Sequence, residues 1–458
     1  MSADYRQCPG VDGQALLVDL YELTMAAAFF ENRVNAPATF ELFIRNLPSS
    51  RGYLLAAGLE QALDYLENLA FLPEQIEFLR RHPAFSHVGK DFFDFLRHLS
   101  FSGEVWAMAE GTPVFALEPL LRVTAPIIEA QIVETFLLTT ITFQTLIATK
   151  AARVVQSAGG REVVEFGSRR AHGPQAGVLA ARAAYIGGCV GSSNVETHYR
   201  FGVPSFGTLA HSFVMAYESE GRSLQDFNRV FPQHAVLLLD TYDTLAALDS
   251  VIAAGLRPPG VRLDSGDLVA LSKQVRKRLD RAGLTATRIV ASGDLDEASI
   301  TALLAAEAPI DLFGVGTALA TSQDAPALSG VYKLVEFDRQ PRLKLSHDKL
   351  SHPGRKQVFR SMENETCVQD TLGLADETPA GEPLLSCVMR NGKRLAPSPR
   401  VNEIRKYAIQ ALRSLPVEVR ALTNPAPYPV RMSRRLTELW NLARSHREPP
   451  VLIRSNHG

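Results

Sequence analysis

Cysteine is scarce in this sequence, and its few copies form no pattern that suggests a disulfide framework or a zinc site. The 458 residues include four, Cys8, Cys189, Cys367 and Cys387, and no two of them form a Cys-x-x-Cys pair. Isolated cysteines of this kind are typical of reduced thiols. Charged residues precede the first apolar run, so we expect no secretory signal. We therefore expect a cytoplasmic protein.

An excess of charge of one sign is also absent, since 48 lysines and arginines are balanced by 49 aspartates and glutamates. A net charge of −1 gives no electrostatic reason to expect nucleic acid or an anionic membrane as a partner. The longest apolar stretches are interrupted: Ile127 to Ala148 contains Glu129, Gln131 and Glu134, which predicts a buried helix and not a membrane span. Any charged ligand must therefore be recognised by a local site.

Short apolar strands do recur through the middle of the chain, and the later ones are about 25 residues apart with a helical pattern in each gap. The predicted strands are 163–166, 236–240, 261–264, 289–291 and 312–315. This period predicts an α/β fold with an irregular β/α barrel core. We assign the barrel to residues 103–337, and a flanking α+β domain to the N- and C-terminal segments, 1–102 and 338–458.

Two neighbouring strands end in nearly the same acidic motif. The first is followed by Asp264-Ser265-Gly266-Asp267 and the second by Ser292-Gly293-Asp294. Carboxylates at strand ends can bind ribose hydroxyls or Mg²⁺, and glycine lets a phosphate approach the backbone. The alternative is a turn followed by an Asp or Ser that caps the next helix. Because both copies lie where a barrel binds ligands, the sequence predicts a sugar-phosphate site.

The next strand enters Gly314-Val315-Gly316-Thr317, a glycine-spaced turn at a predicted helix start. Free backbone N–H groups there favour a phosphate, although an ordinary tight turn explains the residues equally well. His211 lies near the start of an apolar segment with Thr208 close in sequence, which allows either a buried structural histidine or a nucleophile.

An aromatic residue and arginines stand together at the end of another predicted strand, in Glu165-Phe166-Gly-Ser-Arg169-Arg170. Arginine can hold a planar carboxylate or a phosphate through two parallel hydrogen bonds, and the ring can stack on a planar ligand. A solvated arginine pair is the alternative. By default, Tyr21 would belong to the core and the basic loop around Lys356 and Arg360 would be a solvated face.

Taken in order, these segments resemble the nicotinate phosphoribosyltransferase family. The resemblance extends over roughly residues 15 to 360 and rests on these segments: Asp19–Met25, Phe40–Arg45, Glu165–His172, Gly191–Asn194, Gly207–Ser212, Arg262–Asp267, Ser292–Asp294, Gly314–Thr317 and Pro353–Gln357. The set is far more specific than any one of its parts.

The resemblance implies a reaction of the glycosyltransferase or ligase type. The ring nitrogen of nicotinate attacks C1 of 5-phosphoribosyl 1-pyrophosphate, and nicotinate mononucleotide and pyrophosphate form with Mg²⁺ as cofactor. ATP hydrolysis is coupled to this step through a phosphorylated histidine, which the motif places at His211. The reaction is the first step of NAD synthesis from nicotinate. In relatives of this fold a tyrosine reaches the site from the partner subunit, which implies a homodimer with shared active sites.

The family also implies roles for individual residues. Tyr21 and Phe166 are expected to enclose the nicotinate ring, Arg169 and Thr208 to face its carboxylate, and Arg262 to border the ring. Asp264 is expected to act on the ribose during catalysis, and Asp240 is our hypothesis for the group that orients His211. The phosphoribosyl group would be held by the remaining residues of the three turns, Ser265, Gly293, Asp294, Gly314, Gly316 and Thr317. Lys356 and Arg360 are expected to contact pyrophosphate or ATP.

Two alternatives differ from this interpretation. Nicotinamide phosphoribosyltransferases carry an acidic side chain near the position of Gly191-Ser192-Ser193, where this chain has only hydroxyls. A carboxylate beside such an acid would be repelled, so the sequence favours the acid over the amide as substrate. The second alternative is a barrel without catalytic activity that binds phosphoribosyl ligands as a regulatory subunit.

Overall fold

The computed structural model describes residues 14–344 and 351–445, which divide into two compact units. The first unit comprises Gln144–Ala327 and Pro399–Gln410, and the second comprises the remaining described residues. These boundaries differ from the predicted ones at 103 and 337. Strands Glu104–Met108 and Pro119–Pro126 hydrogen-bond to each other, and Pro119–Pro126 pairs with Pro37–Ile44. They therefore belong to the flanking unit, as does Gly330–Phe337, which pairs with the other edge of Pro37–Ile44.

The first unit contains a six-stranded parallel sheet that curls as an irregular barrel. In spatial order its strands are Gly191–Ser192, Glu162–Glu165, Leu312–Val315, Arg288–Ala291, Gly260–Leu263 and Val236–Leu238. The earliest strand in the chain pairs with the latest, Val163 with Phe313, as a curled sheet requires. Beyond Ser192 the ladder continues only as an isolated bridge to Ser205. The predicted barrel core is thus confirmed.

Helices follow the strands of the barrel unit, and aspartates begin three of them in succession. Asp243, Asp267 and Asp296 each accept hydrogen bonds from backbone N–H groups at the first turn. Such caps satisfy donors that a helix end otherwise leaves free. The helices of this part of the chain are Glu134–Ser157, Pro174–Ile186, Val195–Phe201, His211–Met215, Glu220–Val230, Thr244–Ala253, Leu268–Arg281, Glu297–Ala305, Thr317–Ala320 and Val401–Arg413.

The predicted buried helix at 127–148 is divided in the structure. A short helix, Ile127–Ile132, ends at Val133, and a longer one begins at Glu134 and continues to Ser157. Within residues 14–344 and 351–445, no helix is both long and apolar enough to cross a membrane.

The flanking unit is α+β, as predicted. A seven-stranded antiparallel sheet forms its centre, and its strands in spatial order are Gln340–Pro341, Gly330–Phe337, Pro37–Ile44, Pro119–Pro126, Glu104–Met108, Leu385–Arg390 and Lys393–Arg394. A second sheet has the order Glu382–Pro383, Lys356–Glu363, Thr366–Leu374 and Val430–Met432, and Leu54–Leu55 pairs with Pro113–Val114. The helices are Leu20–Glu31, Leu59–Glu67, Pro73–Arg81, Lys90–His98, Ile127–Ile132 and Arg434–Ser445. Both chain ends thus contribute to one hydrophobic core.

A buried acid in this unit makes its stability depend on pH. Glu118 is fully buried, and burial, followed by the negative charge of Asp370, raises its pKa well above the ordinary 4.5. The folded state therefore keeps a proton that the unfolded state loses as pH rises above 4.5. We expect Glu118→Gln, which keeps the shape and an oxygen for the Phe115 N–H, to be more stable than the parent at pH 8 by about 1–3 kcal/mol.

Urea unfolding at pH 5 and pH 8 measures this difference, which should shrink at the lower pH. Glu77→Gln on the surface of the same unit is the control, because Glu77 pairs only with exposed arginines. Equal stability of Glu118→Gln and the parent at both pH values would contradict the prediction.

Candidate active site

A pocket of about 510 Å³ opens at the carboxyl ends of the barrel strands. This is the end at which barrel proteins bind their ligands. Its lining comes from the turns after five strands and from the segment before His211: Phe166, Ser168, Arg169, Arg170, Ser193, Phe206, Gly207, Thr208, Leu209, Ala210, Arg262, Asp264, Ser292, Gly293, Asp294, Gly314, Gly316 and Thr317. The structure therefore brings most of the predicted site residues together.

One wall of the pocket is aromatic. A Cβ on Gly314 would come within 2.5 Å of the Phe166 ring, so the missing side chain makes room for that ring. The Phe166 N–H donates to Val315 O at 2.8 Å, which fixes the backbone beside it. The Arg262 guanidinium carbon lies 5.9 Å from the ring centroid, within the range of a cation–π contact. Gly314, expected to hold the phosphoribosyl group, thus has a packing role in this wall.

Arg262 and Asp264 form the centre of a hydrogen-bond network on neighbouring strands. Arg262 donates from Nε to Ser292 Oγ at 2.7 Å, from Nη1 to Thr208 Oγ1 at 2.8 Å and from Nη2 to Asp264 Oδ1 at 2.6 Å. Ser292 Oγ also donates to Asp264 Oδ1 at 2.5 Å. Thr208 therefore supports Arg262, whereas the sequence placed it opposite a substrate carboxylate.

This network also sets the charge of Asp264. Partial burial alone would raise the pKa of its carboxyl, but hydrogen bonds from Ser292 and Arg262, with the positive charge of Arg262, hold the pKa below its ordinary value. Asp264 is consequently ionised at neutral pH. An ionised carboxylate fixed at the pocket wall can stabilise positive charge that develops on a ligand.

Unlike Arg262, Arg169 and Arg170 have guanidinium groups without hydrogen-bond partners among the described residues. They lie in the single 3-10 turn Ser168–Arg170 and both line the pocket. Among the described residues, no hydrogen bond or ion pair occupies either guanidinium, and both residues are exposed. Two free guanidinium groups at a pocket wall are suited to a carboxylate and to phosphate oxygens.

The second acidic motif presents its residues in a left-handed turn. Gly293 has φ of +94°, and a Cβ there would lie 2.0 Å from Asp264 O. Asp294 also has a positive φ, of +47°, and is exposed at the pocket lining. Gly316 and Thr317 line the pocket where the short helix Thr317–Ala320 begins. Ser265 is exposed and does not line the pocket; its hydroxyl donates to Asp240 Oδ2 at 2.5 Å.

His211 begins the helix His211–Met215 directly after the lining residue Ala210. Its Nδ1 lies 3.2 Å from Thr241 Oγ1, and its Nε2 lies 3.9 Å from Asp264 Oδ2. The hydrogen-bond partner of the imidazole is thus Thr241, and the hypothesis that Asp240 orients it is not supported. Asp240 instead accepts from the Asp264 N–H at 3.1 Å, while its Oδ1 is buried without a partner among the described residues.

Three predicted site residues belong to the flanking unit. The side chain of Tyr21 is not core, because the residue is 46% exposed. Lys356 is buried and its Nζ lies 2.8 Å from Glu41 Oε2. Arg360 is also buried, in a two-point ion pair with Asp370 at 2.9 and 2.5 Å.

These internal partners occupy both cations, so the structure corrects the expectation that Lys356 and Arg360 contact pyrophosphate or ATP. The sequence predicted a basic loop for both, but they lie in the buried part, residues 356–360, of the strand Lys356–Glu363. Lys356 pairs with Glu41, which is distant in the sequence, and Arg360 pairs with Asp370 on the neighbouring strand.

Some site residues had no sequence signal strong enough to identify them. Thr241 follows Asp240 in the sequence, but its contact with His211 depends on the position of a separate helix. Phe206, which lines the pocket, packs on Gly191, where a Cβ would lie 2.5 Å from its ring. The hydroxyl-to-carboxylate contact of Ser192 with Glu165 joins two strands. The spacing of small and aromatic residues after each strand is the only sequence pattern that could have indicated these residues.

Comparison with known proteins agrees with the fold. The family models of the nicotinate phosphoribosyltransferase N-terminal and C-terminal domains match residues 16–142 and 380–440, and that of the quinolinate phosphoribosyl transferase C-terminal domain matches 147–325. A nicotinate phosphoribosyltransferase of Mycobacterium tuberculosis is 47% identical over 430 residues, covering 92% of each chain. The chain belongs to the nicotinate phosphoribosyltransferase family.

Other members of the nicotinate phosphoribosyltransferase family are similar over almost the whole chain. That of Bacillus subtilis is 38% identical over 461 residues, covering 92% of this chain and 93% of its own. The crystal structure of human nicotinic acid phosphoribosyltransferase superposes with a TM-score of 0.83 at 31% identity, covering 93% of this chain and 99% of the human one. Membership in this family therefore applies to both units.

Proposed function

We propose that this protein transfers the phosphoribosyl group of 5-phosphoribosyl 1-pyrophosphate to the ring nitrogen of nicotinate, forming nicotinate mononucleotide and pyrophosphate. The observation that carries the proposal is one pocket in which the unpaired Arg169 stands beside the Phe166 ring and the Arg262–Asp264 pair. An aromatic face with a free guanidinium suits an aromatic carboxylate. The names of the relatives support the same reaction. The product would enter NAD synthesis.

In this mechanism the residues of the pocket divide the work. Phe166 provides a face for the pyridine ring, and Arg169 binds the carboxylate and so directs the ring nitrogen toward C1 of the donor. As the bond from C1 to pyrophosphate breaks, positive charge develops on the ribose, and the ionised Asp264 stabilises it. Arg262 cannot leave Asp264 without breaking three hydrogen bonds, so its role is to hold that carboxylate in place.

The pyrophosphate needs cations other than Lys356 and Arg360. Nicotinate has one carboxylate, and we assign it to Arg169, which leaves Arg170 to bind phosphate oxygens. Asp294 and Thr317 would border the phosphoribosyl group from the next two strand ends.

Magnesium is compatible with this site as a companion of the donor. Among the residues that the structure describes, no cluster of three or more His, Cys, Asp and Glu side chains could hold a metal alone. Mg²⁺ usually takes one or two carboxylates and completes its shell with substrate phosphates and water. The unpartnered Asp240 Oδ1 and the exposed Asp294 are the protein oxygens that fit this role. The ion would neutralise the charge of the leaving pyrophosphate.

We also propose that ATP phosphorylates His211. In the tautomer whose Nδ1–H donates to Thr241 Oγ1, Nε2 has a free lone pair that can attack the γ-phosphorus. The bond between phosphorus and the β–γ bridging oxygen breaks, and ADP leaves. Hydrolysis of the phosphohistidine would then couple ATP to phosphoribosyl transfer.

Tyr21 has the exposure that a second aromatic wall requires, and we propose that it acts in the site of a partner subunit in a homodimer. Its exposed ring is available to a ligand.

Preference for the acid over the amide follows from the Gly191–Asn194 segment. Ser193 lines the pocket, and it belongs to the stretch Gly191-Ser192-Ser193, near which the resemblance implies an acid in the nicotinamide-using enzymes. Initial rates with nicotinate and nicotinamide at equal concentration test this preference. A faster rate with nicotinamide would favour a nicotinamide phosphoribosyltransferase, and absence of pyrophosphate release with either substrate would favour a barrel without catalytic activity.

Removing the Arg169 guanidinium should weaken nicotinate binding specifically. We expect Arg169→Ala to lower kcat/KM for nicotinate by roughly 10- to 100-fold, because a hydrogen bond to a charged group contributes about 1.5–3 kcal/mol. The KM for the phosphoribosyl donor should change little, and discrimination against nicotinamide should decline. Steady-state kinetics with each substrate varied in turn measure these effects.

Arg222→Ala is the matched control, because Arg222 is an exposed arginine of the same unit that pairs with Asp226 on its own helix. An Arg169→Ala enzyme with unchanged KM for nicotinate would rule out this arginine as the carboxylate-binding group.

A further inference from the structure

Behind the aromatic wall lies a buried carboxyl group that none of the steps above uses. Glu165 ends the strand Glu162–Glu165 and is 1% exposed, and burial raises its pKa. Ser192 Oγ donates to its Oε2 at 2.5 Å, and the Gly167 N–H donates to its Oε1. Burying an acid costs stability. A buried acid is therefore useful to the site only if its hydrogen bonds hold neighbouring groups in a position that an apolar residue would not fix.

The two donors connect Glu165 by two routes to the beginning of the turn that carries Arg169. Gly167 directly precedes the turn Ser168–Arg170. By the second route, Ser192 Oγ accepts from the Asn194 N–H at 2.9 Å, and Asn194 Nδ2 donates to Ser168 Oγ at 3.1 Å. These hydrogen bonds form a closed frame that fixes the start of the turn, Gly167 and Ser168, with the carboxyl group of Glu165 at its base.

The frame matters because, among the described residues, no hydrogen bond or ion pair holds the Arg169 guanidinium in place; the turn itself is also held by the N–H groups of Arg170 and Ala171, which donate to Gly167 O. The direction of Arg169 is set by the backbone of the turn, and that backbone is packed closely: a Cβ on Gly167 would come within 2.3 Å of Ala320 Cβ. A turn that moved would carry Arg169 away from the Phe166 face, although neither residue had changed. A misplacement of about 1 Å can cost a site much of its effect.

We propose that Glu165 is a positioning residue for substrate recognition: acting through the Gly167 N–H and Ser192, it holds Arg169 at the carboxylate edge of a ring bound on Phe166. This inference rests on the proposed function and deepens it. Ser192 is the residue of the frame best suited to mutation, because Ser192→Ala removes only a hydroxyl and adds no atoms.

The test compares Ser192→Ala and Glu165→Gln with the parent in steady-state kinetics. We expect the KM for nicotinate to rise roughly tenfold in each, the equivalent of one lost hydrogen bond to a charged group, while kcat stays within about threefold. The KM for the phosphoribosyl donor should stay within about twofold. Ser223→Ala is the control, since Ser223 is a fully buried serine of the same unit that bonds only within its own helix region; it should leave both KM values unchanged.

A double-mutant cycle separates positioning from a general structural effect. If Ser192 acts through Arg169, Ser192→Ala should raise the KM for nicotinate in the parent and have no further effect in Arg169→Ala. Additive effects in the two backgrounds, or equal increases in the KM of both substrates, would overturn the inference while leaving the proposed reaction intact. A parent protein that forms no nicotinate mononucleotide would instead refute the proposed function itself.

Discussion

Replacing Asp264 with asparagine should lower kcat by roughly 10²- to 10³-fold, the range that loss of one preorganised electrostatic group causes in other enzymes. Asparagine keeps an oxygen that can accept from Arg262 and Ser292, so the network around it can persist. What disappears is the negative charge, which hydrogen bonds and Arg262 maintain at neutral pH. That negative charge stabilises the positive charge on the ribose, which develops only as the bond to pyrophosphate breaks. Loss of the charge should therefore lower kcat far more than it changes the KM for nicotinate or for the phosphoribosyl donor.

The same motif supplies the control. Asp267 lies three residues further on, is exposed, and accepts from the N–H groups of Val269 and Ala270 at 3.1 and 3.0 Å. Asp267→Ala should cost about 1 kcal/mol of stability as a lost helix cap and leave kcat unchanged. If both substitutions reduced kcat alike, or if Asp264→Asn retained full activity, Asp264 would not be the charge that stabilises the transition state.

This pair of aspartates shows what the sequence could resolve. The motif Asp264-Ser265-Gly266-Asp267 allowed two interpretations, a ligand site and a helix cap, and the structure assigns one to each end: Asp264 lines the pocket and Asp267 caps the helix. The second copy repeats the division, with Asp294 at the pocket and Asp296 as the cap. Strand and helix periods placed both motifs correctly because those periods are local properties of the chain.

Contacts between distant segments were beyond such reasoning. Lys356 and Arg360 were expected to be exposed because the residues around them are basic, but their partners are Glu41, far away in sequence, and Asp370, on a neighbouring strand. The boundary between the two units differs from the predicted one at residue 103 for a similar reason, since the pairing of Pro119–Pro126 with Pro37–Ile44 has no local signal. Side-chain pairing and strand pairing depend on the tertiary structure.

Replacing His211 with alanine should abolish stimulation by ATP while a slow phosphoribosyl transfer remains. The imidazole is the proposed phosphate acceptor, whereas the proposed transfer site consists of Phe166, Arg169 and Asp264 and does not include it. Transfer rates with and without ATP measure the coupling, and acid-labile labelling from ATP phosphorylated at its γ position measures the phosphohistidine. Thr241→Val should reduce the labelling but not eliminate it, because it removes the partner of Nδ1 and leaves Nε2 in place.

His198→Ala is the matched control, because His198 lies on another helix of the same unit, with its Nδ1 2.9 Å from Val203 O. It should retain both labelling and stimulation. Acid-labile phosphate that persisted in His211→Ala would place the phosphorylated residue elsewhere. Loss of all transfer in His211→Ala, with labelling absent, would instead mean that the imidazole takes part in the transfer step, where its Nε2 lies 3.9 Å from the carboxylate of Asp264.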